Sequence, residues 1–302
     1  MSAPTPRVSV IVCTYNHSGS LVGTLASLAA LQTAPDVPWE LVVVDNNSND
    51  DTRAVVERFF AEAPVAGRYV FEGRQGLSAA RNCGMQAARG EIVAFTDDDV
   101  KVGPDWVQRL HEAFVAHPQV GMVCGRTELY RETLHPLGVR TSREARLYEH
   151  PAQPVGVGIG NNMAIRMDVV RRTGEFDVTL GAGTRMAAAE DTDYIYRVLR
   201  SGLPVLYCPD AVVYHDHDRV TDEQVRRIQL NYRRGCGALY VKHIVRGDAW
   251  ALKLFYWELR DLARGLSGDR QARADAWAYI RATLEGGRLR VASELRTWLG
   301  RT

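Results

Sequence analysis

The first 221 residues predict an α/β fold with a largely parallel sheet, and the remainder predicts a helical extension. Three observations carry this. Short β-branched runs alternate with helical apolar spacing over the first two-thirds of the chain, the signature of βα units. Polar clusters stand at the carboxyl ends of the expected strands, where ligands bind in sheets of this kind. Beyond Thr221 the pattern turns helical and the charge reverses: residues 222–302 hold 16 Lys+Arg against 9 Asp+Glu, and residues 1–221 hold 21 against 27.

Val8 to Cys13 is the first expected strand, followed by a helix spaced by Leu21, Leu25, Leu28 and Leu31. Glu40 to Val44 is the second; its helix, Thr52 to Ala61, can be capped by Asp50, Asp51 or Thr52. Tyr69 to Glu72 makes a third strand, and Ser78 to Arg89 a helix stopped by Gly90. Ile92 to Thr96 is a fourth strand, and Pro104 suits the first position of the helix carrying Trp106, Leu110 and Phe114. After a run from Val120 to Thr127, residues 129–157 are irregular and read as an insertion. Asn162 to Arg166 and Val205 to Tyr214 are further strands, with a helix at about 188–201 between them. Gly247, Ser267-Gly268-Asp269 and Gly286-Gly287 are expected to divide the last 80 or so residues into about four helical segments.

With 302 residues, 46% of them hydrophobic, the chain can bury a full core, and disorder is excluded as the main state. Five scattered cysteines without CxxC spacing suggest neither a disulfide framework nor a zinc site, and a reducing cytoplasm is expected. The opening residues lack a signal-peptide pattern, and no apolar run approaches the ~18 residues of a membrane span. A soluble protein is expected, at most peripheral at the inner face of a membrane, and no nucleic-acid partner is expected.

Asp97-Asp98-Asp99 ends an apolar strand. Two carboxylates about 4 Å apart repel by roughly 4 kcal/mol at an effective dielectric of ~20, so either water or a cation must offset them. An ordinary acidic turn accounts for the triplet as well as a metal site does; Asp-x-Asp spacing suits a hard divalent ion shared with a diphosphate. Asp45 can accept a hydrogen bond from a base N3–H or a ribose hydroxyl, while the loop from Gly73 to Asn82 joins Arg74 and Arg81 to Gly76 at a helix start, an arrangement suited to phosphate. Glu190-Asp191-Thr192-Asp193 reads as a helix N-terminus or as the source of a general base. His215 and His217 follow the last strand and are either structural or available to a metal.

In this order, VSVIVCTYN, ELVVVDNNSNDDT, GLSAARNCGMQAARGEIVAFTDDD, GIGNNMAIRMDVV and GEFDVTLGAGTRMAAAEDTDYIYRVLRSG resemble the inverting family 2 glycosyltransferases of the GT-A fold over about residues 7–220. The resemblance implies a catalytic domain at 1–221, its nucleotide-binding part about 1–128 and its acceptor part about 129–221, with 222–302 a basic helical region. It implies a nucleoside-diphosphate sugar donor, UDP or dTDP favoured, and a hydroxyl acceptor. Thr14, Tyr15, Asn16, Asp45, Arg74, Gly76, Arg81, Asp97 and Asp98 would surround the donor. Asp99, Asp97 and His215 would hold Mn2+ or Mg2+, with Asp98 the member of the triplet expected to face away. Asp191 would be the base, supported by Glu190, and Asn161 and Asn162 would line the acceptor side.

Two rival readings are a sugar-nucleotide nucleotidyltransferase and a non-catalytic sugar-nucleotide-binding protein. The first usually carries a glycine- and arginine-rich loop where this chain has Thr14 to Ser18; the second is disfavoured by two complete acidic clusters. No GxGxxG follows the first strand, which excludes a dinucleotide oxidoreductase. In the C-terminal region, Trp250, Leu254, Trp257 and Leu262 form a stripe that suits packing within the domain, a dimer contact or a peripheral membrane contact.

Overall fold

In the computed structural model, which describes residues 5–132 and 135–300, the chain divides into two compact units. One comprises the chain up to Phe176 together with Tyr194–Arg219, and the other Asp177–Asp193 together with Val220 onward. The last of the three breaks falls between Arg219 and Val220. Segment 177–193, however, groups with the C-terminal helices.

The sheet unit runs β1 (Val8–Thr14), α1 (Ser18–Ala29), β2 (Trp39–Asp45), α2 (Thr52–Glu62), β3 (Gly67–Phe71), α3 (Leu77–Ala87), β4 (Ile92–Asp97), β5 (Val100–Val102) and α4 (Trp106–Ala116). It continues with β6 (Met122–Leu129), β7 (Arg146–Tyr148), β8 (Met163–Arg166), α5 (Met167–Thr173), most of α6 (Glu190–Arg200) and β9 (Val205–His215). The strand order is β3-β2-β1-β4-β8-β6-β9-β5, with β7 also on β9. Strands β1 to β4 are mutually parallel, β8 is inserted antiparallel between β4 and β6, and β6 and β9 are parallel. The result is a mixed sheet covered on both faces, which is why β1 and β2 read as nearly unbroken apolar runs. Leu21, Leu25, Leu28, Val56, Trp106 and Leu110 pack on one face with the even-numbered residues of β1. Ile11, Phe95, Met122, Met163, Tyr194 and Leu199 fill the other.

Three features depart from expectation. Pro104 is not the first helical residue: it sits in a turn that the Trp106 N–H closes on the Gly103 carbonyl (3.1 Å), and α4 starts at Trp106. Strands β5 and β7, three residues each, arise within turns and the irregular 129–157 stretch, of which residues 133 and 134 lie outside those described. Their length leaves no periodicity to read.

The third concerns the helical unit. It consists of α7 (Asp222–Ile244), α8 (Ala249–Arg264) and α9 (Arg270–Trp298), a short 3-10 turn between the last two, and the 177–193 segment. Gly286-Gly287 does not break α9. A Cβ at Gly286 would fall on the Arg234 carbonyl of α7, and one at Gly237 on the Thr283 carbonyl of α9. These glycines let two long helices approach backbone to backbone, and that packing outweighs a propensity cost of ~1 kcal/mol per glycine.

Candidate active site

Three loops leave the carboxyl ends of β1, β2 and β4 side by side. The loop after β1 is tied to the loop after β2: the Asn16 N–H donates to Ser48 Oγ (2.9 Å) and Asn16 Oδ1 accepts from the Asn49 N–H (2.8 Å). Asp45 is buried at the end of β2 and accepts from the Ser48 N–H and from Tyr69 Oη, both at 2.8 Å. It caps no helix; Asp50 instead accepts from Thr52 and from the Ser18 N–H. Burial and the Asp45 partner push the Tyr69 hydroxyl up to about 12, so it stays a donor. Asn46, which the sequence did not single out, organises the loop after β3: its Nδ2 donates to the Glu72 and Arg74 carbonyls and its Oδ1 accepts from the Gly76 N–H (2.8 Å). Gly76, expected in a phosphate loop, therefore has its N–H engaged, while the Arg74 side chain is exposed and Tyr15 is half-exposed.

The three adjacent aspartates are each answered by a different basic side chain. Asp97 Oδ1 lies 3.5 Å from Arg81, whose guanidinium packs against both the Phe95 and Phe176 rings and donates to the Gly160 carbonyl (3.2 Å). Arg81 is 2% exposed, so it serves as the buried support of Asp97 and not as a surface phosphate ligand. Asp98 does not face away: His17 Nδ1–H donates to its Oδ1 (3.1 Å), and Thr24 Oγ1 donates to its carbonyl (2.9 Å). That hydrogen bond to Asp98 raises the His17 pKa. Asp99 Oδ2 meets His215 Nε2 at 3.3 Å, both side chains nearly buried. Register explains this long-range pair: β5 pairs antiparallel with β9, with Val100 opposite His215.

Environment separates the two outer carboxylates. Desolvation, only partly offset by Arg81 and reinforced by Asp99, pushes Asp97 up to about 6. Burial would raise Asp99 as well, but its hydrogen bond and charge interaction with His215 lower it below the usual carboxylate range. Burial works against the His215 imidazolium too, and Asp99 outweighs it, leaving His215 raised.

Among the described residues no group of three or more His, Cys, Asp or Glu side chains is placed so that it could hold a metal ion by itself. The donor chemistry nevertheless fits one. His215 Nδ1 faces the Leu137 carbonyl (3.3 Å), which orients Nε2 toward Asp99, the way a ligating imidazole is held by its second nitrogen. His217 is unsuited: Nε2 faces the His135 carbonyl (3.0 Å) and Nδ1 accepts from the Arg219 N–H (3.2 Å). Asn162 is core, its Oδ1 accepting from Trp106 Nε1 and its Nδ2 donating to the Arg126 and Ala211 carbonyls, each at 2.9 Å. Asn161 is also buried and accepts from Thr127 Oγ1 (3.0 Å). Neither asparagine is disposed to meet an acceptor.

In the helical unit, the second acidic cluster opens α6. Glu190 is buried against Gly181, where a Cβ would come within 3.1 Å of its carboxylate. Gly181 has φ 96°, and its N–H donates to the Ala188 carbonyl, closing the loop. Asp191 Oδ1 accepts from the Thr192 N–H (2.6 Å). Asp193 has no solvent exposure and is held by Lys242 Nζ (2.8 Å) and His243 Nε2 (2.9 Å) of α7. Lys242 also reaches Asp177 (3.0 Å), which Arg290 of α9 binds at 2.7 Å. This ionic network fastens both ends of the 177–193 segment to α7 and α9. Its partners lie 49 to 113 residues apart, so no local pattern could have announced it.

A mixed sheet with polar loops and an acidic turn at its carboxyl ends, extended by C-terminal helices, is the architecture of the GT-A glycosyltransferases. Mannosyltransferase PcManGT from Pyrobaculum calidifontis, solved in complex with GDP-Man and Mn2+, matches it with a TM-score of 0.63 at 22% identity, over 94% of this chain and 86% of its own. S. aureus TarS 1-349 in complex with UDP-GlcNAc matches with a TM-score of 0.64 at 18% identity, over 93% and 81%. Among sequence relatives, the succinoglycan biosynthesis protein ExoM of Rhizobium meliloti is 28% identical over 236 residues, 78% of this chain and 74% of its own. The pre-mycofactocin glycosyltransferase of Mycobacterium tuberculosis is 30% identical over 287 residues, 88% of this chain and 55% of its own. The family model for glycosyl transferase family 2 matches residues 9–174, more than half of the chain, and the chain belongs to that family. It is a glycosyltransferase acting on nucleotide sugars.

Proposed function

We propose that this chain transfers a sugar, with inversion, from a UDP- or dTDP-sugar to an acceptor hydroxyl on a polysaccharide, glycolipid or natural product, assisted by a divalent cation. The observation that carries the reading is the Asp99–His215 pair set into the acidic turn at the end of β4. The two would hold the cation with Asp97 beside them, and Mn2+ or Mg2+ bound there supplies positive charge to the departing diphosphate. The Mn2+ and GDP-Man of PcManGT and the UDP-GlcNAc of TarS support the same chemistry.

The chain's own residues do the rest. Asp45, fixed by Tyr69 and Ser48, accepts the N3–H of a pyrimidine base through remaining lone pairs. Thr14, Tyr15 and Asn16 line the nucleotide, and exposed Arg74 reaches the diphosphate. Asp97 accepts a ribose hydroxyl. Asp191 takes the acceptor proton as the acceptor oxygen bonds to the anomeric carbon and the bond to the diphosphate breaks, which inverts that carbon. Support for Asp191 comes from the Glu-Asp pair it shares with the family and from its place in the first turn of α6.

Calorimetric titration with UDP, dTDP and GDP, with Mn2+ or with EDTA, tests donor and cation together. Asp99→Asn and His215→Ala are expected to weaken Mn2+-dependent nucleotide binding at least tenfold. Asp191→Asn is expected to bind the nucleotide normally and to transfer ~10²-fold or more slowly. Wild-type transfer by Asp191→Asn to an identified acceptor would remove the base from the scheme.

A further inference from the structure

Helix α9 carries a face that the rest of the chain leaves uncovered. Trp277, Leu284, Val291, Leu295 and Trp298 recur at intervals of three, four or seven residues and are 41 to 81% exposed. At about 100° per residue they fall within a single arc of roughly 60°. Arg270, Arg273, Arg281 and Arg288, all exposed, share or border that arc, so that cations and apolar side chains alternate along it for more than 30 Å at about 1.5 Å per residue. The acids of the helix are elsewhere: Asp275 pairs with Arg226 (3.4 Å), Glu285 with Arg234 (3.4 Å), and Glu294 with Arg290 and Arg246. No Asp or Glu interrupts the face, within a region whose Lys+Arg exceed its Asp+Glu by 16 to 9.

We infer that this face of α9 lies on an anionic lipid surface. The arginines select the partner. A parallel pair of α9 helices would stack Arg281 and Arg288 on their own copies, and an antiparallel pair centred on the stripe would set Arg288 against Arg288, with no acid in the face to separate them. A surface of lipid phosphates pairs with each guanidinium and takes the leucine and valine side chains into its acyl boundary. Trp277 and Trp298, at the two ends, have the amphipathic rings that settle at the headgroup level. No helix among the described residues is long and apolar enough to cross a membrane, so the contact is one of lying on the surface.

The test is flotation of the full chain with phosphatidylcholine vesicles and with vesicles containing 30% phosphatidylglycerol, at low and high salt. Wild type is expected to float with the anionic vesicles at least tenfold more than with neutral ones, and to release as salt rises. Arg281→Gln with Arg288→Gln is expected to lose most of that preference. Trp277→Ser with Trp298→Ser is expected to lose binding to both vesicle types, with circular dichroism and thermal unfolding unchanged because the replaced side chains face water. Equal recovery from neutral and anionic vesicles, or none from either, overturns the inference. So does sedimentation showing a dimer that the tryptophan substitutions dissolve, which would assign the face to a second copy.

Discussion

Lys242→Met tests whether the ionic network holds the 177–193 segment. The Lys242 ammonium is 4% exposed and sits 2.8 Å from Asp193 and 3.0 Å from Asp177. Methionine keeps most of the volume and removes the charge. Asp177 retains Arg290 and Thr179, but Asp193, with no exposure, keeps His243 and loses the ammonium that faced it. Removing one partner of a buried pair costs about 3–5 kcal/mol, against a total stability of about 5–15 kcal/mol. Urea unfolding followed by tryptophan fluorescence suits the question, since Trp250, Trp257, Trp277 and Trp298 all belong to the helical unit. The expected result is a transition displaced by about 3 kcal/mol or more. A double-mutant cycle with Asp193→Asn should show coupling of about 1–3 kcal/mol, because the two changes remove one interaction. A loss below about 1 kcal/mol with additive single effects would falsify the claim that this network fastens the segment.

Acid should act on the same network through Asp177. Burial alone would raise its carboxyl, but Lys242, Thr179 and Arg290 together hold it well below the usual carboxylate range. A depressed folded-state pKa gives stability that is complete above the unfolded value of ~3.9 and is lost as pH falls below it. Urea midpoints should accordingly fall between pH 5 and 2.5 more steeply for wild type than for Asp177→Asn; parallel curves would contradict this. Gly286→Ala is expected to cost about 3 kcal/mol or more in thermal or urea unfolding, since its methyl group meets the Arg234 carbonyl. Gly19→Ala in α1, where nothing lies within 4 Å of the added atom, should instead gain about 0.5–1 kcal/mol.

The parts of this fold that could be read from sequence are those where local pattern and burial agree. β1, β2 and β4 are apolar runs ending in polar residues, and they form the parallel centre of the sheet. Thr14, Asp45 and the Asp97–Asp99 turn come together because those strands share a register: Thr14 pairs with Asp45, and Cys13 with Asp97. What stayed hidden depends on contacts across long separations. His17 answers Asp98 over 81 residues, and Lys242 answers Asp193 over 49. Arg81 looked like a phosphate ligand because it lies near Arg74 and Gly76, yet the turn of α3 buries it against the aromatic rings of Phe95 and Phe176. Gly286-Gly287 looked like a break because sequence shows flexibility and not the backbone of a neighbouring helix.

The places where the chain departs from relaxed local structure point the same way as the chemistry. Among the described residues, the non-glycine positions with positive φ are Asn16 (50°), Asn47 (67°), Ala187 (67°) and Ala189 (72°). The first two shape the loops after β1 and β2; the last two shape the turn into Glu190-Asp191. Asparagine enters this region readily, but alanine pays about 1–2 kcal/mol, so the loop before α6 keeps a conformation that its sequence resists. The Thr14 and Thr96 hydroxyls add to this, buried on adjacent strands at the same end of the sheet without a hydrogen-bond partner among the described residues. A buried unsatisfied hydroxyl costs about 1–3 kcal/mol. Such costs persist only where the surrounding structure imposes them, and they gather at sites that bind or react. Here they stand at the loops after β1 and β2 of the sheet unit and at the acidic pair of the helical unit, while among the described residues the strand interiors and the long helices carry no positive φ outside glycine. Local strain and the proposed chemistry thus select the same loops independently.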